Sequence, residues 1–404
     1  MLWLYNIGIS FYGLIVSVFS IFNSKAKLFC QGRKNIFDHI EKTIDSTKRH
    51  IWFHFASLGE FEQGRPVLEK IKELHPQKRI VITFFSPSGY EVRKNYPLAA
   101  GVFYLPLDTP DNAKKFVSLI NPEMAIFTKY EFWYHYFKTL NDRNTPLYLI
   151  SGIFRPNQIF FSWYGSFHRK ILNFVDHFFV QNRESVDLLK SLKLENTSLS
   201  GDTRFDRVAE NAQSPRKVTP VENLWTNSPV FIAGSTWPAD ERLIAVLIKQ
   251  QPDWKFIIAP HEIDEHHILE IEKLVPGATR YSKFLTGTSV AQTLIIDNIG
   301  LLSSLYQYAD ISYIGGGFGA GIHNTLEAAA FGIPIIFGPK YDKFQEAKDL
   351  INLQAARSIE TESDLTAAFI HFDGNDEAGK IAQKYVNEKT GSTRQILEFI
   401  EKKF

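Results

Sequence analysis

The sequence predicts an α/β protein in which an apolar helix precedes two doubly wound domains, each built on a parallel β-sheet. Three observations lead to this class: an uncharged apolar segment over residues 1–24, a series of short apolar runs alternating with helical patterns, and a second such series after a polar interruption. The length of 404 residues suits two or three domains. Hydrophobic residues make up 44% of the chain and charged residues 22%, which is ordinary for a folded protein and excludes a disordered one.

Charge and cysteine content exclude further classes of function. The 45 Lys and Arg residues are balanced by 44 Asp and Glu residues, so the chain lacks the basic surplus of a broad nucleic-acid binder, and we expect no nucleic-acid partner. The single cysteine, Cys30, rules out an intrachain disulfide and any zinc or iron–sulfur site built from cysteines. We therefore expect the body of the protein to lie in a reducing compartment.

Residues 1–24 predict a membrane anchor, with membrane lipid as a partner. They contain no charged side chain, and about 20 apolar residues are enough to cross a bilayer as a helix. A basic flank follows without an intervening acid, and it predicts that the rest of the chain stays on the cytoplasmic side. That flank consists of Lys25, Lys27, Arg33 and Lys34. Gly8, Gly13 and scattered serines also allow a helix lying on the membrane, and a buried core helix is the third alternative.

The first α/β series begins at residue 50 and includes a helical pattern over Arg65–Leu74. Strands alternating with helices predict βαβ units. The predicted strands are His50–Ala56, Arg79–Phe85, Val102–Leu107, Met124–Thr128, Leu147–Ile150 and His177–Val180. The polar segment Arg207–Leu224, which contains Pro215 and Pro220, then predicts a linker.

The second series follows this linker and ends in the mostly helical pattern of Glu377–Phe404. Its predicted strands are Val230–Ala233, Lys255–Ala259, Thr293–Ile296, Ile311–Ile314 and Ile333–Phe337. Doubly wound domains bind ligands at the carboxyl ends of their strands, so we expect a cleft where the two domains face each other. The predicted domains are the anchor 1–24, an N-terminal domain 25–210, a C-terminal domain 211–385 and a last helix 386–404 that is able to pack back on the N-terminal domain.

A glycine-rich segment, Gly315–Gly321, follows the strand Asp310–Ile314 and precedes a helical pattern over Asn324–Phe331. Glycines such as Gly316 and Gly317 let a backbone approach a ligand closely, and a helix N-terminus favours an anion. The segment matches neither the dinucleotide-binding fingerprint nor the P-loop, and a glycine turn that only packs tightly is the alternative. Asn324 and Glu327 share a helix face, and the Glu327 carboxylate suits the two hydroxyls of a ribose.

Two other strand ends carry polar groups. Ser235 and Thr236 follow the first strand of the second series, where hydroxyls suit a phosphate, although such residues are also common N-caps. Pro260 and His261 end the next strand, and His266 and His267 follow near three acids. A zinc motif would need histidine at position 265, which is Glu265, so we predict no metal site.

In the first series, two carboxylates follow strands. Glu60 comes after the first strand and after Gly59, where a tight turn would aim the carboxylate into the cleft as a general base. Glu131 follows the strand Met124–Thr128 in a similar place, and a solvated loop acid is the alternative for both residues. Arg204 lies just before the linker and could reach a ligand bound between the domains.

The ordered set of these motifs resembles the Kdo transferases, the 3-deoxy-D-manno-octulosonic acid transferases of lipid A assembly, over nearly the whole chain. The motifs are an apolar N-terminal anchor, Ser-Leu-Gly-Glu-Phe (57–61), Tyr-Glu-Phe-Trp (130–133), Gly-Asp-Thr-Arg-Phe-Asp (201–206), Gly-Ser-Thr-Trp (234–237), Ala-Pro-His-Glu (259–262), Gly-Gly-Gly-Phe (315–318) and His-Asn-Thr-Leu-Glu (323–327). The resemblance implies a GT-B fold, an N-terminal acceptor-binding domain and a C-terminal domain that binds the CMP-sugar. It also implies lipopolysaccharide biosynthesis at the cytoplasmic side of the inner membrane of a Gram-negative cell.

The family's activity implies an inverting transfer of Kdo from CMP-Kdo to the tetraacyl disaccharide bisphosphate precursor of lipid A, lipid IVA, without a cofactor or structural metal. By resemblance, Glu60 matches the catalytic base, Glu131 matches a second carboxylate of the cleft, and Arg204 stands where a lysine is usual. The positions matching CMP contacts are Pro260, Ile299, Gly300, Leu301, Asn324, Thr325, Leu326 and Glu327.

Three departures from the family's motifs concern donor and acceptor details. His261 stands where arginine is usual, Leu301 replaces a common acid, and the segment Ser151–Arg155 differs from the usual Asn-Ala-Arg pattern. Two other functions stay open. One is a membrane-associated GT-B enzyme that uses a UDP-sugar on a lipid acceptor. The other is a membrane-tethered nucleotide-binding module without catalysis, which would not require the carboxylates Glu60 and Glu131.

Overall fold

The computed structural model describes residues 1–225 and 228–403. Contacts divide the chain into two compact units: unit 1 comprises Met1–Asp206 and Gly391–Phe404, and unit 2 comprises Arg207–Thr390. Thr226 and Asn227, within the predicted domain 211–385, and Phe404, within the predicted segment 386–404, lie outside the described residues.

Unit 1 is built on a seven-stranded parallel sheet with the strand order β3-β2-β1-β4-β5-β6-β7. From β1 the chain winds towards one edge of the sheet, and from β4 it winds towards the other, so the topological switch point lies between β1 and β4. The elements of unit 1 are α1 Leu2–Phe19, α2 Ser24–Arg33, α3 Ile36–Thr43, β1 His50–Phe55, α4 Leu58–Leu74, β2 Arg79–Phe84, α5 Pro87–Arg93, β3 Gly101–Tyr104, α6 Pro110–Ile120, β4 Pro122–Thr128, α7 Tyr134–Asp142, β5 Leu147–Gly152, α8 Ser166–Leu172, β6 His177–Val180, α9 Arg183–Ser191, β7 Thr197–Leu199 and α10 Thr203–Gln213, which continues into unit 2.

Unit 2 repeats this plan with a second seven-stranded parallel sheet, in the order β10-β11-β9-β8-β12-β13-β14. Its switch point lies between β8 and β12. Its elements are α11 Thr219–Glu222, β8 Val230–Thr236, α12 Pro238–Gln250, β9 Lys255–Pro260, α13 Glu265–Leu274, β10 Thr279–Arg280, α14 Tyr281–Leu285, β11 Thr293–Ile295, α15 Leu302–Leu305, β12 Ile311–Ile314, α16 Leu326–Ala330, β13 Ile335–Phe337, α17 Gln345–Asn352, β14 Ala356–Ser358, α18 Glu362–Phe372 and α19 Asp376–Glu388. The chain then returns to unit 1 as α20 Ser392–Ile400.

The central strands are buried on both faces, which explains why they are continuous apolar runs rather than alternating patterns. Every residue of β1 is buried, and so is every residue of β12. In unit 1, Trp52 of β1 packs against Phe116 and Phe127, with ring centroids 5.0 and 4.9 Å apart. Helices on both faces of each sheet supply the other half of these cores.

Helix α1 is long and apolar enough to cross a membrane, with a mean hydropathy of 1.6, and none of its residues is buried. One face nevertheless lies along unit 1: the Tyr5 hydroxyl donates to Asp108 Oδ2 at 2.5 Å, and Asn6 Oδ1 lies 2.7 Å from His135 Nε2. The opposite face is apolar and exposed, and comprises Trp3, Leu4, Ile7, Phe11, Leu14 and Val18. These polar contacts hold α1 along the rest of unit 1 and leave its apolar face exposed.

The structure differs from the predicted elements in four places. Helix α4 begins at Leu58 rather than Arg65, so it includes Gly64, a residue with poor helix propensity. Gly64 packs against Phe55 with no room for a Cβ, and this tertiary contact outweighs the poor propensity. The predicted linker begins as helix, since α10 runs to Gln213. The helix after the glycine-rich segment is shorter than predicted, and the edge strands β7, β10 and β14 have only two or three residues, too few to show a sequence pattern.

Candidate functional site

The two carboxylates of unit 1 flank the switch point of its sheet. Glu60 follows β1 and Glu131 follows β4, and these two strands are hydrogen-bonded neighbours. Ligands of doubly wound sheets bind outside the carboxyl ends of the strands at this point. Strand order therefore brings together two acids that are far apart in the sequence.

Glu60 is held at the start of a helix. Ser57 is the N-cap of α4, its side chain accepts a hydrogen bond from Gly59 N, and its hydroxyl donates to Glu60 Oε2. Gly59 lies in the first turn of the helix, so the predicted tight turn is wrong and the helix start itself directs the carboxylate. The unpaired amides of a helix N-terminus favour a negative charge there.

Glu131 is held by two aromatic side chains. Trp133 Nε1 donates to Glu131 Oε2 at 2.9 Å, and His54 Nε2 lies 3.1 Å from the same oxygen. The Glu131 side chain is 15% exposed, whereas that of His54 is fully buried. His54 was not among the predicted site residues, because a histidine inside an apolar strand was the only feature that marked it in the sequence.

Tyr130 and Arg155 lie beside these acids. Arg155 Nη1 donates to Tyr130 Oη at 3.1 Å. Burial raises the pKa of Tyr130, Arg155 opposes that shift, and the charge of Glu60 adds to it. An open pocket of about 390 Å³ adjoins this pair, and it is lined by Tyr130, Phe132, Arg155, Gln158, Ile159 and Phe160.

Arg204 is oriented by Asp202, a carboxylate that sequence analysis missed as a partner. Arg204 Nε donates to Asp202 Oδ2 at 2.9 Å, and the Arg204 amide donates to Asp202 Oδ1 at the same distance. Gln63 Nε2 contacts both carboxylate oxygens of Asp202 at 3.3 and 3.4 Å. The guanidinium is therefore fixed at the start of α10.

In unit 2 the glycine-rich segment follows β12, at the switch point of the second sheet. A Cβ on Gly315 would lie 2.3 Å from Ser235 O, and a Cβ on Gly317 would lie 2.6 Å from Gly338 Cα. Gly316 has φ +92°, a left-handed conformation that glycine adopts without strain. Tight backbone packing thus requires these glycines whether or not a ligand is bound.

Asp240 anchors this loop and was also missed. The buried carboxylate accepts hydrogen bonds from Trp237 N at 2.9 Å, Gly316 N at 3.0 Å and Tyr313 Oη at 2.7 Å. Burial raises the pKa of Asp240, and these three bonds oppose the shift. An acid in the first turn of the helix after β8 was the available sequence signal.

Ser235 and Thr236 have different environments. Ser235 is half-buried with φ +54°. Thr236 is buried, and its hydroxyl donates to Glu241 Oε1 at 2.9 Å. Glu241 Oε2 in turn lies 3.0 Å from His267 Nε2, so the side chain of Thr236 is engaged within the unit.

His261 lies in a stack of aromatic rings. Its ring stacks on Trp237 at 5.0 Å and on His323 at 4.3 Å, and Trp237 Nε1 donates to His323 Nε2 at 3.1 Å. Burial, together with the neighbouring His261, lowers the pKa of His323 to about 4. His323 is thus a neutral acceptor near pH 7, and His261 is the exposed member of the pair.

Asn324 and Glu327 are brought together at the start of α16. Asn324 Nδ2 donates to Glu327 Oε1 at 3.2 Å, and Leu326 N donates to Asn324 Oδ1 at 3.1 Å. Between them, Thr325 Oγ1 is buried without a hydrogen-bond partner. An unsatisfied buried hydroxyl is costly, so a ligand group that reached it would be favoured.

The remaining residues predicted to bind the nucleotide lie near the carboxyl ends of the strands of the unit 2 sheet. Pro260 ends β9 and pairs in register with Thr236. Ile299 is 88% exposed, Gly300 has φ +92° with open space around it, and Leu301 is buried as the N-cap of α15. Within residues 1–225 and 228–403, no three His, Cys, Asp or Glu side chains are grouped closely enough to hold a metal ion.

Comparison with known proteins identifies the relatives of this chain. Residues 31–207 match the family model described as 3-deoxy-D-manno-octulosonic-acid transferase (kdotransferase). The chain is 25% identical over 373 residues to the 3-deoxy-D-manno-octulosonic acid transferase of Aquifex aeolicus, covering 89% of this chain and 96% of that protein. It is 28% identical over 337 residues to the enzyme of the same name from Rickettsia bellii, covering 78% and 77%.

Solved structures place the fold. UDP-GlcNAc 2-epimerase from Neisseria meningitidis aligns with a TM-score of 0.60 at 14% identity, covering 87% of this chain and 100% of that chain. MurG from Acinetobacter baumannii aligns with a TM-score of 0.55 at 10% identity, covering 88% and 100%. The predicted α/β class is confirmed as a GT-B fold, with two parallel sheets and an apolar first helix. The family model thus identifies a Kdo transferase domain over residues 31–207, and over most of its length the chain is similar to curated Kdo transferases.

Proposed function

We propose that this protein transfers Kdo, with inversion, from CMP-Kdo to the tetraacyl disaccharide bisphosphate precursor of lipid A during lipopolysaccharide synthesis. Similarity to the Kdo transferases supports Kdo as the transferred sugar. The observation that carries the proposal is the pair of carboxylates Glu60 and Glu131 at the switch point of unit 1, because a nucleotide-binding module would not need them. No cofactor or metal enters the proposed reaction.

The chemistry assigns Glu60 as the base. The acceptor hydroxyl attacks C2 of Kdo, the bond from C2 to the phosphate oxygen breaks, and CMP leaves with the bonding electrons. The acceptor proton passes to the Glu60 carboxylate, which the start of α4 holds in place. Such general-base help typically contributes about 10²- to 10⁴-fold in rate.

Unit 2 supplies the donor contacts in this proposal. The Asn324–Glu327 pair binds the ribose hydroxyls, and the unpartnered Thr325 hydroxyl gains a hydrogen bond from the nucleotide. His261 and the backbone of Ile299–Leu301 lie near the phosphate. From unit 1, we propose that Arg204, held by Asp202, offsets negative charge on the departing CMP.

Unit 1 supplies the membrane and acceptor contacts. In this proposal the protein lies at the cytoplasmic side of the inner membrane. The exposed apolar face of α1 inserts into the lipid there. The pocket beside Tyr130 and Arg155 has apolar walls and one guanidinium, which suits a phosphorylated lipid.

The test is a transfer assay with the full chain in detergent. Incubation with CMP-Kdo and the disaccharide precursor is expected to give a lipid product heavier by one or more Kdo residues, measured by mass spectrometry. UDP-N-acetylglucosamine with the same preparation is the matched control and should give no product. Transfer from the UDP-sugar, or CMP binding without any transfer, would contradict the proposal.

A further inference from the structure

A buried chain of hydrogen bonds ends on Glu131. Trp52 Nε1 donates to Thr83 Oγ1 at 2.8 Å, and Thr83 Oγ1 lies 2.8 Å from His54 Nδ1. His54 Nε2 then lies 3.1 Å from Glu131 Oε2. Trp52, His54 and Thr83 have no solvent-exposed surface, so water cannot replace a missing partner in this chain.

The donors along this chain fix the direction of each bond. An indole N–H can only donate, so Thr83 Oγ1 accepts from Trp52 and has one proton left to give. Its other neighbour, Phe53 O, is 3.4 Å away, at the limit of a hydrogen bond, whereas His54 Nδ1 is at 2.8 Å. The shorter contact favours donation from Thr83 to His54 Nδ1, which puts the ring proton of His54 on Nε2, facing the carboxylate.

The opposite tautomer fails on geometry. With its proton on Nδ1, His54 would present the lone pair of Nε2 to a carboxylate oxygen 3.1 Å away, and two acceptors would face each other. The ring cannot turn away, because Phe127 packs against it with centroids 4.8 Å apart.

We infer that His54 is a positioning residue that, with its proton on Nε2, holds Glu131 for the transfer reaction. This inference rests on the proposed function. Trp133 Nε1 donates to the same oxygen, so two N–H donors engage Oε2 of Glu131. In this inference the other oxygen, Oε1, is the one left to bind the acceptor. Glu131 is thus a fixed hydrogen-bond acceptor that orients substrate, while Glu60, bonded to a rotatable hydroxyl, takes the proton.

Two substitutions of similar size separate positioning from packing. In His54→Gln the side-chain amide reaches the place of Nε2 and keeps an N–H donor to Glu131. In His54→Asn the shorter side-chain amide reaches only the position of Nδ1. The asparagine therefore keeps the hydrogen bond with Thr83 and loses the one with Glu131. We expect kcat to fall about 10- to 100-fold in His54→Asn and less than about fivefold in His54→Gln, with the KM for CMP-Kdo unchanged in both. Equal losses of kcat in the two variants would overturn the inference, since packing alone would produce them.

A double-mutant cycle tests whether the effect passes through Glu131. In a Glu131→Ala background, single-turnover rates should show no further loss on adding His54→Asn, because the carboxylate that His54 holds is already absent. Additive losses would overturn the inference. Full activity of Glu131→Ala alone would also overturn the inference, and would leave the proposed Kdo transfer intact.

The ring proton can be observed without any activity. In ¹⁵N-histidine-labelled protein, two- and three-bond correlations should show His54 protonated at Nε2 and not at Nδ1. Protonation at Nδ1 alone, or at both nitrogens, overturns the inference. If the wild-type protein gives no Kdo product while His54 shows the expected tautomer, the proposed function fails and the hydrogen-bond geometry stands.

Discussion

Glu60 and Glu131 have the same chemical group but different partners. Glu60 accepts a hydrogen bond from the Ser57 hydroxyl at the start of a helix, whereas Glu131 is hydrogen-bonded to the ring nitrogens of Trp133 and His54. A hydroxyl can rotate and exchange its bond, but ring N–H groups packed in a core cannot. This contrast at the residue scale supports the proposed roles of Glu60 as the base and of Glu131 as a fixed hydrogen-bond acceptor.

Replacing Glu60 by glutamine tests the base. Glu60→Gln retains the size of the side chain and an oxygen for Ser57, so the fold and CMP affinity should be unchanged, while kcat should fall by about two to four orders of magnitude. Turnover is measured by lipid product formation, and CMP binding by calorimetry. Glu62→Gln, two residues further along α4 in an ion pair with Arg93, is the matched control and should remain active. Near-normal turnover of Glu60→Gln with an inactive Glu131→Gln would mean that the two roles are reversed.

Replacing Glu327 tests the ribose contact. Glu327→Ala removes a carboxylate that is bonded to Asn324, and we expect a loss of CMP affinity of about 1.5–3 kcal/mol, or roughly 10- to 150-fold. Glu388→Ala, on the exposed side of α19, is the control and should leave affinity unchanged. If isothermal calorimetry gives the wild-type affinity for Glu327→Ala, the ribose assignment is wrong.

At the scale of elements, α1 is joined to the start of α7. Asp108 accepts hydrogen bonds from the amides of His135 and Tyr136 and so caps α7, and Tyr5 of α1 donates to the same carboxylate. Tyr134 N also donates to the Tyr5 hydroxyl at 3.3 Å. Removal of α1 would therefore leave the buried Asp108 carboxylate without the hydrogen bond from Tyr5. Truncation of residues 1–24 should therefore destabilise unit 1 as well as release it from membranes.

The Asp108 cap predicts a specific pH dependence. Burial raises the pKa of Asp108 from 3.8 to about 6, despite three hydrogen bonds that oppose the shift. The folded state therefore binds the Asp108 proton more tightly than the unfolded state does. The contribution of Asp108 to the free energy of unfolding is largest below about pH 4, and it falls by about 3 kcal/mol as the pH rises to 6 and above. In Asp108→Asn this fall should be absent.

Urea unfolding between pH 4 and 7 measures the difference. Asp111→Asn, at an exposed position in the first turn of α6, is the control and should keep the wild-type slope. A wild-type slope in Asp108→Asn would show that Asp108 does not titrate as its burial requires.

For the whole molecule, the last helix completes the first unit. Ile396, Leu397 and Ile400 of α20 are buried in the core of unit 1, and Phe399 packs on His177 with ring centroids 4.1 Å apart. The Asp206 carboxylate accepts hydrogen bonds from Gly391 N and Thr393 N, which fixes the point of return. The first unit is thus assembled from both ends of the described chain.

Deleting residues 391–404 should destabilise unit 1 selectively. Three buried aliphatic side chains contribute roughly 4–9 kcal/mol, so calorimetry should show an early transition of unit 1. CMP binding should persist, because the candidate donor residues of unit 2 and its core lie within 207–390. Arg394→Ala combined with Glu398→Ala, on the exposed face of α20, is the control and should unfold like wild type. A single transition at the wild-type temperature in the deletion would contradict this account.

The local pattern of apolar and polar residues was sufficient to predict much of the fold. Apolar runs bounded by polar turns placed the long central strands, and an uncharged 18-residue helix was evident from composition. The positions of Glu60, Glu131 and Glu327 after strands or at helix starts also followed from pattern, because the alternation of strand and helix is a short-range property.

Only the tertiary structure decided which strand ends became neighbours. The contacts of His54 with Glu131 and of Asp240 with Gly316 join residues 77 and 76 positions apart, and both depend on strand order. The position of α1 against Asp108 and the return of α20 are likewise long-range. Strand order and helix docking are set by which apolar faces bury each other best across long loops, a sum over the whole core that no local window of sequence contains.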